Sequence, residues 1–315
     1  MLFRSTIETI EITESSVSNK KVLFAPMSLS KLGQTELKRG LGLYLDDAIN
    51  ANVTGVYMQR RTVSAGQQFN IRGYGNGARG TNGISSNFDG QGTKVYLNGI
   101  PITDAEGITL MDDIDFNSIG KVEVLKGPSG ALYGLAIAGV VNLKSITADK
   151  NKISLGQDYM VGSYGLKRLT TQLRIGGEKS SFLVNYGKQS FDGYMNHTAS
   201  NKEFVNAIGE IRISDKQMLY TYFGYSNSYD ERNGELTKGQ YDTLDYVKNS
   251  NNTGNPAYVK NNAHSNVMSI RSGISQKWTF NKNISNNTSI FGSGLNSNVS
   301  SAGGWTDKAP INYGI

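Results

Sequence analysis

Three carboxylates stand together at Asp112-Asp113-Ile114-Asp115. Grouped acids are the first place to look for acid–base chemistry. Catalytic carboxylates must oppose each other across a pocket, and neighbours on one short segment do not supply that, so these acids read as facing solvent or capping a turn. Gly75-Asn-Gly77-Ala-Arg-Gly80 matches the spacing G-x-G-x-x-G. A dinucleotide site needs a helix directly after it, whose N-terminus holds the pyrophosphate. Thr81-Asn-Gly-Ile-Ser-Ser-Asn87 follows instead and does not open a helix; a mobile glycine-rich loop is the better account. The two histidines, His197 and His264, are isolated, and the chain has no cysteine. That excludes a thiol nucleophile, a disulfide scaffold and cysteine zinc sites, and it argues against a histidine metal centre. No Ser/His/Asp constellation is visible. The sequence assigns no catalytic residue, metal ligand or cofactor, and the expectation is a protein that is not an enzyme.

The elements that carry these residues follow from composition and pattern. The 315 residues include 37 Gly, 17 Tyr and only 5 Pro, with 37% hydrophobic residues, which suggests turn-rich β structure. The net charge of +6 is dispersed. Lys38-Arg39 and Arg60-Arg61 are its tightest pairs, and neither sits in a basic aromatic stripe of the nucleic-acid kind; nucleic acid is not expected as a partner. Met1 to Ser5 lacks the apolar core of a secretory signal, so either a signal was removed or the sequence is a piece of a longer one. The longest apolar stretch, Ala131 to Val141, falls short of the ~20 residues of a membrane helix. A barrel strand of ~9–11 alternating residues would escape such a search.

Three regions follow. Residues 1–20 are polar and read as a flexible arm. Residues 21–150 are mixed. Leu37, Leu41, Leu45 and Ile49 stand at helical spacing within Leu29 to Asn50, with Ser28 or Ser30 as possible N-caps. Strand candidates are Gly55–Gln59, Gln68–Arg72, Lys94–Leu97, Lys121–Leu125 and Gly139–Leu143, and Asn98-Gly99 turns Lys94–Thr103 into a small hairpin. Residues 151–315 alternate in polarity: Leu169, Thr171, Leu173 and Ile175 against Arg168, Thr170, Gln172 and Arg174, and Ile270 and Ile274 against Arg271 and Ser275. Short turns (Gly176–Lys179, Asp215-Lys216) alternate with long polar loops (Asp192–Val205, Asn227–Asn266), the layout of an outer-membrane barrel. A soluble β-sandwich also alternates, but loops of about 40 residues are uncommon in one.

The middle region resembles the plug domain of TonB-dependent outer-membrane receptors. Glu8-Thr9-Ile10-Glu11-Ile12-Thr13-Glu14 looks like the TonB box of that family. Leu45-Asp-Asp-Ala-Ile49 with Val53-Thr-Gly-Val56 is similar to the early helix and its turn, with Thr54 where the family has Pro. Phe69-Asn-Ile-Arg-Gly-Tyr74 resembles the "IRG" strand. Val95-Tyr-Leu-Asn-Gly-Ile-Pro101 resembles a hairpin with Asp in place of Asn98. Ile119 to Pro128 resembles the following strand with its Gly-Pro end, and Ser129 to Asn142 resembles the closing segment, with Ala138 for a common Gly.

The resemblance implies a mostly β fold: an α/β plug domain (21–150) followed by an incomplete antiparallel transmembrane β-barrel (151–315). At ~9–11 residues per strand, the latter holds the first ~6–8 strands of the family's twenty-two, so the chain is expected to be an N-terminal fragment. The implied function is energised uptake of a scarce ligand, a ferric siderophore above all, with haem, cobalamin or a glycan as alternatives. A non-transporting β-sandwich for adhesion or signalling is the remote one. The implied partners are TonB of the TonB-ExbB-ExbD complex at Glu8–Glu14, outer-membrane lipid, and a small-molecule ligand at the plug apices. Arg61, Tyr74, Asn76, Arg79, Phe88 and Asp104 are the candidate ligand residues. Arg72 and Glu123 are candidates for ion pairs with the barrel wall, local pairing within the plug being the alternative. The implied location is the outer membrane of a Gram-negative cell, with the arm in the periplasm.

Overall fold

The computed structural model describes residues 28–39, 42–60, 62, 64–73, 92–104, 107, 109–129, 133–134, 136–234, 238–242, 256–282, 284–300, 306–307 and 311–314. The first part holds strands β1 (Ser28–Leu32), β2 (Val56–Gln59), β3 (Gln68–Ile71), β4 (Thr93–Leu97), β5 (Ile100–Pro101), β6 (Ile119–Lys126) and β7 (Gly139–Ser145). Helices α1 (Gln34–Leu37) and α2 (Leu45–Asn52) lie between β1 and β2, and a 3₁₀ turn at Phe116–Ser118 precedes β6. One sheet runs in the order β1-β6-β7-β4-β5, while β2 and β3 pair separately. Among the described residues only β4 and β7 pair in parallel.

The helical spacing over Leu29 to Asn50 predicts a helix there, and the structure divides the segment instead. Ser28–Leu32 pairs with Val122–Lys126 as the sheet edge, so pairing overrides the local pattern. Gly42 at φ 72° is a conformation a helix does not use. A new helix, α2, then starts at Leu45 with Asp46 and Asp47 in its first turn, where negative charge complements the helix dipole. The Asn98-Gly99 hairpin forms as expected: both residues have positive φ, 51° and 82°, as a two-residue turn matching strand twist requires. Val95, Leu97, Val122, Val124, Val141 and Leu143 form the centre of the core.

The second part is an antiparallel meander of seven long strands: β8 (Ile153–Val161), β9 (Lys167–Gly176), β10 (Ser180–Phe191), β11 (Ser200–Ser214), β12 (Gln217–Glu231), β13 (His264–Thr279) and β14 (Ser285–Ser300). Helices α3 (Lys238–Asp242) and α4 (Pro256–Lys260) lie between β12 and β13. Two short strands, β15 (Thr306–Asp307) and β16 (Ile311–Gly314), pair with β14. Among the described residues β8 pairs only with β9, so the sheet does not close. The strands reach 16 residues, longer than the expected barrel segments. The connections of the 192–199 and 232–263 segments are correspondingly shorter than the polar pattern implies, because polar strand ends continue the ladder beyond the apolar band.

This sheet buries its polar face. Arg271, Ser269 and Ser275 are 5%, 5% and 4% exposed, while Ile270 and Ile274 between them are 46% and 53% exposed. A soluble sandwich would bury the isoleucines. The opposite arrangement, with apolar side chains outward and polar ones against a packed interior, is that of a membrane barrel wall. No helix among the described residues is long and apolar enough to cross a membrane.

Candidate functional site

The polar face of the wall is covered by the first part of the chain, and the contact centres on the three acids of residues 112–115. This segment arrives from a bridge between Thr103 and Thr109 and leaves through the 3₁₀ turn into β6. Its acids are not solvated: Asp112, Asp113 and Asp115 are 5%, 0% and 2% exposed. Each faces a cation from a different wall strand, which corrects the expectation that they lie in solvent, while Asp115 stands at the N-cap of the 3₁₀ turn, in line with the other expectation that they cap a turn. Arg271 on β13 donates from Nη1 to both carboxylate oxygens of Asp113, at 2.9 and 3.0 Å, and from Nη2 to the Leu110 carbonyl at 3.0 Å. Tyr222 on β12 donates to Asp113 Oδ2 at 2.9 Å, and Asn206 on β11 donates to its carbonyl at 3.2 Å. Arg168 on β9 bonds Asp115 and the Leu43 carbonyl. Lys202 on β11 stands 3.9 Å from Asp112, which also accepts the Gly66 N–H at 2.9 Å.

Spacing explains the match. Arg168, Lys202 and Arg271 all occupy the inward register of alternating strands. Glycines on the same face make room: a Cβ at Gly224 would meet Asp113 Oδ2 at 2.4 Å, and one at Gly273 would meet Ile100 at 2.5 Å. Burial pushes the Asp112 and Asp115 carboxyls up, opposed by the charges of Lys202 and Arg168 respectively. The cations therefore oppose the push of burial on these carboxyls without cancelling it.

Tyr44 closes the upper end. It is buried, with its hydroxyl pushed up to about 12 by burial, and it donates to Gln189 of β10 at 2.8 Å. The Arg60 guanidinium lies 4.4 Å from its ring centre and pairs with Asp46 at 2.8 Å. Nearby, Ser64 reaches Ser200 and Asp230 of the wall, bonding Asp230 at 2.8 Å. At the other side Ser289 on β14 donates to the Gly99 carbonyl at 3.0 Å. The contact is thus polar and hydrogen-bonded along much of its length, and beside these bonds Leu183, Ile208 and Tyr222 of the wall pack into the apolar core of the first part.

The expected site residues fare unevenly. Glu8, Thr9, Ile10, Glu11, Ile12, Thr13 and Glu14 lie outside the described residues, as do Arg61, Tyr74, Asn76, Arg79 and Phe88. Asp104 is half-buried in the turn whose Gly107 N–H bonds its carbonyl at 3.2 Å. Both ion pairs of Glu123 run within the first part, to Lys31 at 3.2 Å and Lys121 at 2.9 Å. They do not reach the wall, because Glu123 sits in the sheet between β1 and β7. Arg72 is exposed at φ 52° and forms no ion pair among the described residues. Glu123 thus follows the alternative of local pairing within the first part, and the acids that face the wall are Asp112, Asp113 and Asp115. A signal for them was available: acids interleaved with Leu110, Met111, Ile114 and Phe116, and lone cations on the polar face of alternating strands.

Residues 21–140 match the family described as TonB-dependent Receptor Plug Domain. Residues 21–140 are a TonB-dependent receptor plug, and the sheet after them has the fold of part of a receptor barrel. The vitamin B12 transporter BtuB of Vibrio vulnificus (strain CMCP6) is 28% identical over an alignment of 169 residues that covers 46% of this chain and 27% of that protein. The ferric citrate transporter FecA, solved in its unliganded form, superposes with a TM-score of 0.64 at 14% identity, over 87% of this chain and 40% of that one. The ferric yersiniabactin uptake receptor FyuA from Yersinia pestis gives 0.62 at 16% identity, over 91% and 43%. These structural likenesses establish the fold. The chain spans about a quarter of the BtuB relative and about two fifths of the solved receptors. The acids of 112–115 are accordingly plug residues, and their partners are barrel-wall residues.

Proposed function

We propose that this chain belongs to an outer-membrane importer that takes up an iron chelate when TonB of the TonB-ExbB-ExbD complex draws on the plug. The observation that carries the reading is the plug seated by buried ion pairs against a sheet whose other face is apolar, as the wall of a pore in a bilayer would be. The structural likeness to the ferric citrate transporter FecA and the ferric yersiniabactin uptake receptor FyuA supports an iron chelate as ligand. Glu8–Glu14 would join TonB as an added strand, where backbone bonds supply most of the affinity. The apical plug residues Arg61, Tyr74, Asn76, Arg79, Phe88 and Asp104 would form the floor of the ligand site.

Cobalamin is the second reading, favoured by the sequence match to a vitamin B12 transporter. Uptake of a labelled ferric chelate and of labelled cobalamin, in cells with and without TonB, separates the two. TonB-dependent accumulation of the chelate alone supports the first reading, and of cobalamin alone the second. Ile10→Pro removes a backbone donor and fixes φ. It is expected to abolish uptake while ligand binding at the cell surface persists; unimpaired uptake would remove the TonB-box assignment.

A further inference from the structure

Histidine is the side chain that changes charge near neutral pH, and this chain has two. His197 lies in the connection between β10 and β11, where three connections of the wall meet. Its backbone takes φ 60°, a left-handed conformation that residues with a Cβ seldom adopt and that persists where the surroundings fix it. Its side chain is only 9% exposed. Nε2 lies 2.9 Å from the Ala263 carbonyl, just beyond α4, and that carbonyl also accepts the Arg232 N–H at 3.0 Å. Nδ1 lies 3.7 Å from Glu231 Oε1, at the end of β12. The second oxygen of Glu231 accepts the Ala199 N–H at 3.0 Å, and the Glu231 N–H returns to the Ala199 carbonyl at 2.9 Å.

Both ring nitrogens therefore face oxygens that only accept, whereas a neutral imidazole has a single N–H to give. With that N–H spent on Ala263, the neutral ring turns the lone pair of Nδ1 toward a carboxylate. The imidazolium turns an N–H there instead. The neighbouring charged and titratable groups have other contacts. The Arg232 guanidinium lies over the Tyr258 ring at 6.0 Å. His264 stacks on Tyr229 at 5.2 Å and donates from Nδ1 to the Asn262 carbonyl at 2.6 Å. Asp230 faces the plug side of β12, where Ser200 and Ser64 donate to it at 2.7 and 2.8 Å. This last contact ties the junction to the plug: Ser200 and Asp230, which hold Ser64, directly follow Ala199 and precede Glu231 in the chain.

We propose that His197 is a proton-operated clasp. In acid the imidazolium closes onto Glu231 and Ala263, joins the three connections and steadies the grip of Ser200 and Asp230 on the plug. In alkali the clasp slackens. The sign follows from linkage: a cation favoured by its partner stabilises the closed form at low pH, and that stability is lost as pH rises. The inference holds whichever ligand is imported.

The test follows amide hydrogen exchange of the full chain in lipid nanodiscs between about pH 8.5 and 5.5, corrected for the intrinsic exchange rate. Protection of the Ala199, Glu231 and Arg232 amides is expected to rise by about threefold on acidification, as suits a partly exposed ion pair. The Ala65 and Gly66 amides of the plug should follow with a smaller rise. His197→Gln can still donate to Ala263 but takes up no proton, and it should abolish both rises. Glu231→Gln, whose side chain can still accept from Ala199, should do the same, while His264→Gln leaves them in place. Protection that does not change with pH overturns the proposal, as does a rise that survives in H197Q or one that H264Q abolishes. A rise at the clasp with none at Ala65 and Gly66 overturns its reach to the plug.

Discussion

The plug sheet and the wall sheet use the same strand geometry and bury opposite halves of their sequences. In the plug, Val122, Val124, Val141 and Leu143 are at 0% exposure and the hydrophobic effect holds the sheet together in the ordinary way. In the wall, Asn185 and Asn206 are at 0%, bonded to each other at 2.7 Å, while Phe182, Val184 and Ile270 stand outside. The difference teaches that alternation alone does not say which face is inside; the solvent does. Where the two sheets meet, Leu183 and Ile208 of the wall join the plug's apolar core, and hydrogen-bonded charge holds the rest of the contact. Such a contact costs desolvation on both sides and gains little net stability, but breaking one partner of a pair is expensive.

The largest effect that would break the comparison is a charge in the plug core. Val141→Asp places an unpaired carboxylate where no partner stands and is expected to abolish the plug's protection from protease entirely, whereas an added acid on the wall's inner face would find water or a cation. A variant plug that stays protected would show that the plug core is not of the ordinary kind. Next, Asp113→Ala leaves Arg271 buried without its carboxylate and is expected to cost about 3–5 kcal/mol of plug–wall docking. Denaturant midpoints of plug release read this directly. The double variant Asp113→Ala with Arg271→Met should recover a large part, since it removes the stranded charge as well.

A smaller effect sharpens the outward face. Ile270→Lys should cost about 2–4 kcal/mol if it lies near the bilayer midplane, measured by reversible folding into lipid vesicles. An unchanged folding free energy would place Ile270 outside the hydrocarbon. The smallest effect concerns pH in the plug alone. Burial pushes Glu123 up, yet the bonds and charges of Lys121 and Lys31 outweigh it, and the carboxyl is held below its ordinary 4.5. A lowered pKa gives stability that is complete above the unfolded value and is lost as pH falls through the folded one. Plug stability should therefore fall on acidification below about 4.5, and Glu123→Gln should flatten that slope; an unaltered slope would assign the acid loss to other carboxylates.

By itself the sequence determined the local grammar of this protein. Asn98-Gly99 dictates a tight turn because both positions must take positive φ, and the alternation around Arg168 and Ile270 dictates strands because only a period of two separates their faces. Motif order from Leu45 to Asn142 was enough to reach the plug family. The helical spacing before Asn50 misled, because a sheet edge claimed Ser28–Leu32, and no local pattern reports a partner ninety residues away. The same physics hid the plug–wall contact. Asp113 and Arg271 are separated by 158 positions, and a carboxylate's sequence neighbours do not reveal whether water or a guanidinium will face it. Only the tertiary structure brought the three acids onto three strands, turned Glu123 inward to Lys31 and Lys121, and decided which half of each wall strand was dry, because burial is a property of the assembled surfaces and not of the chain that forms them.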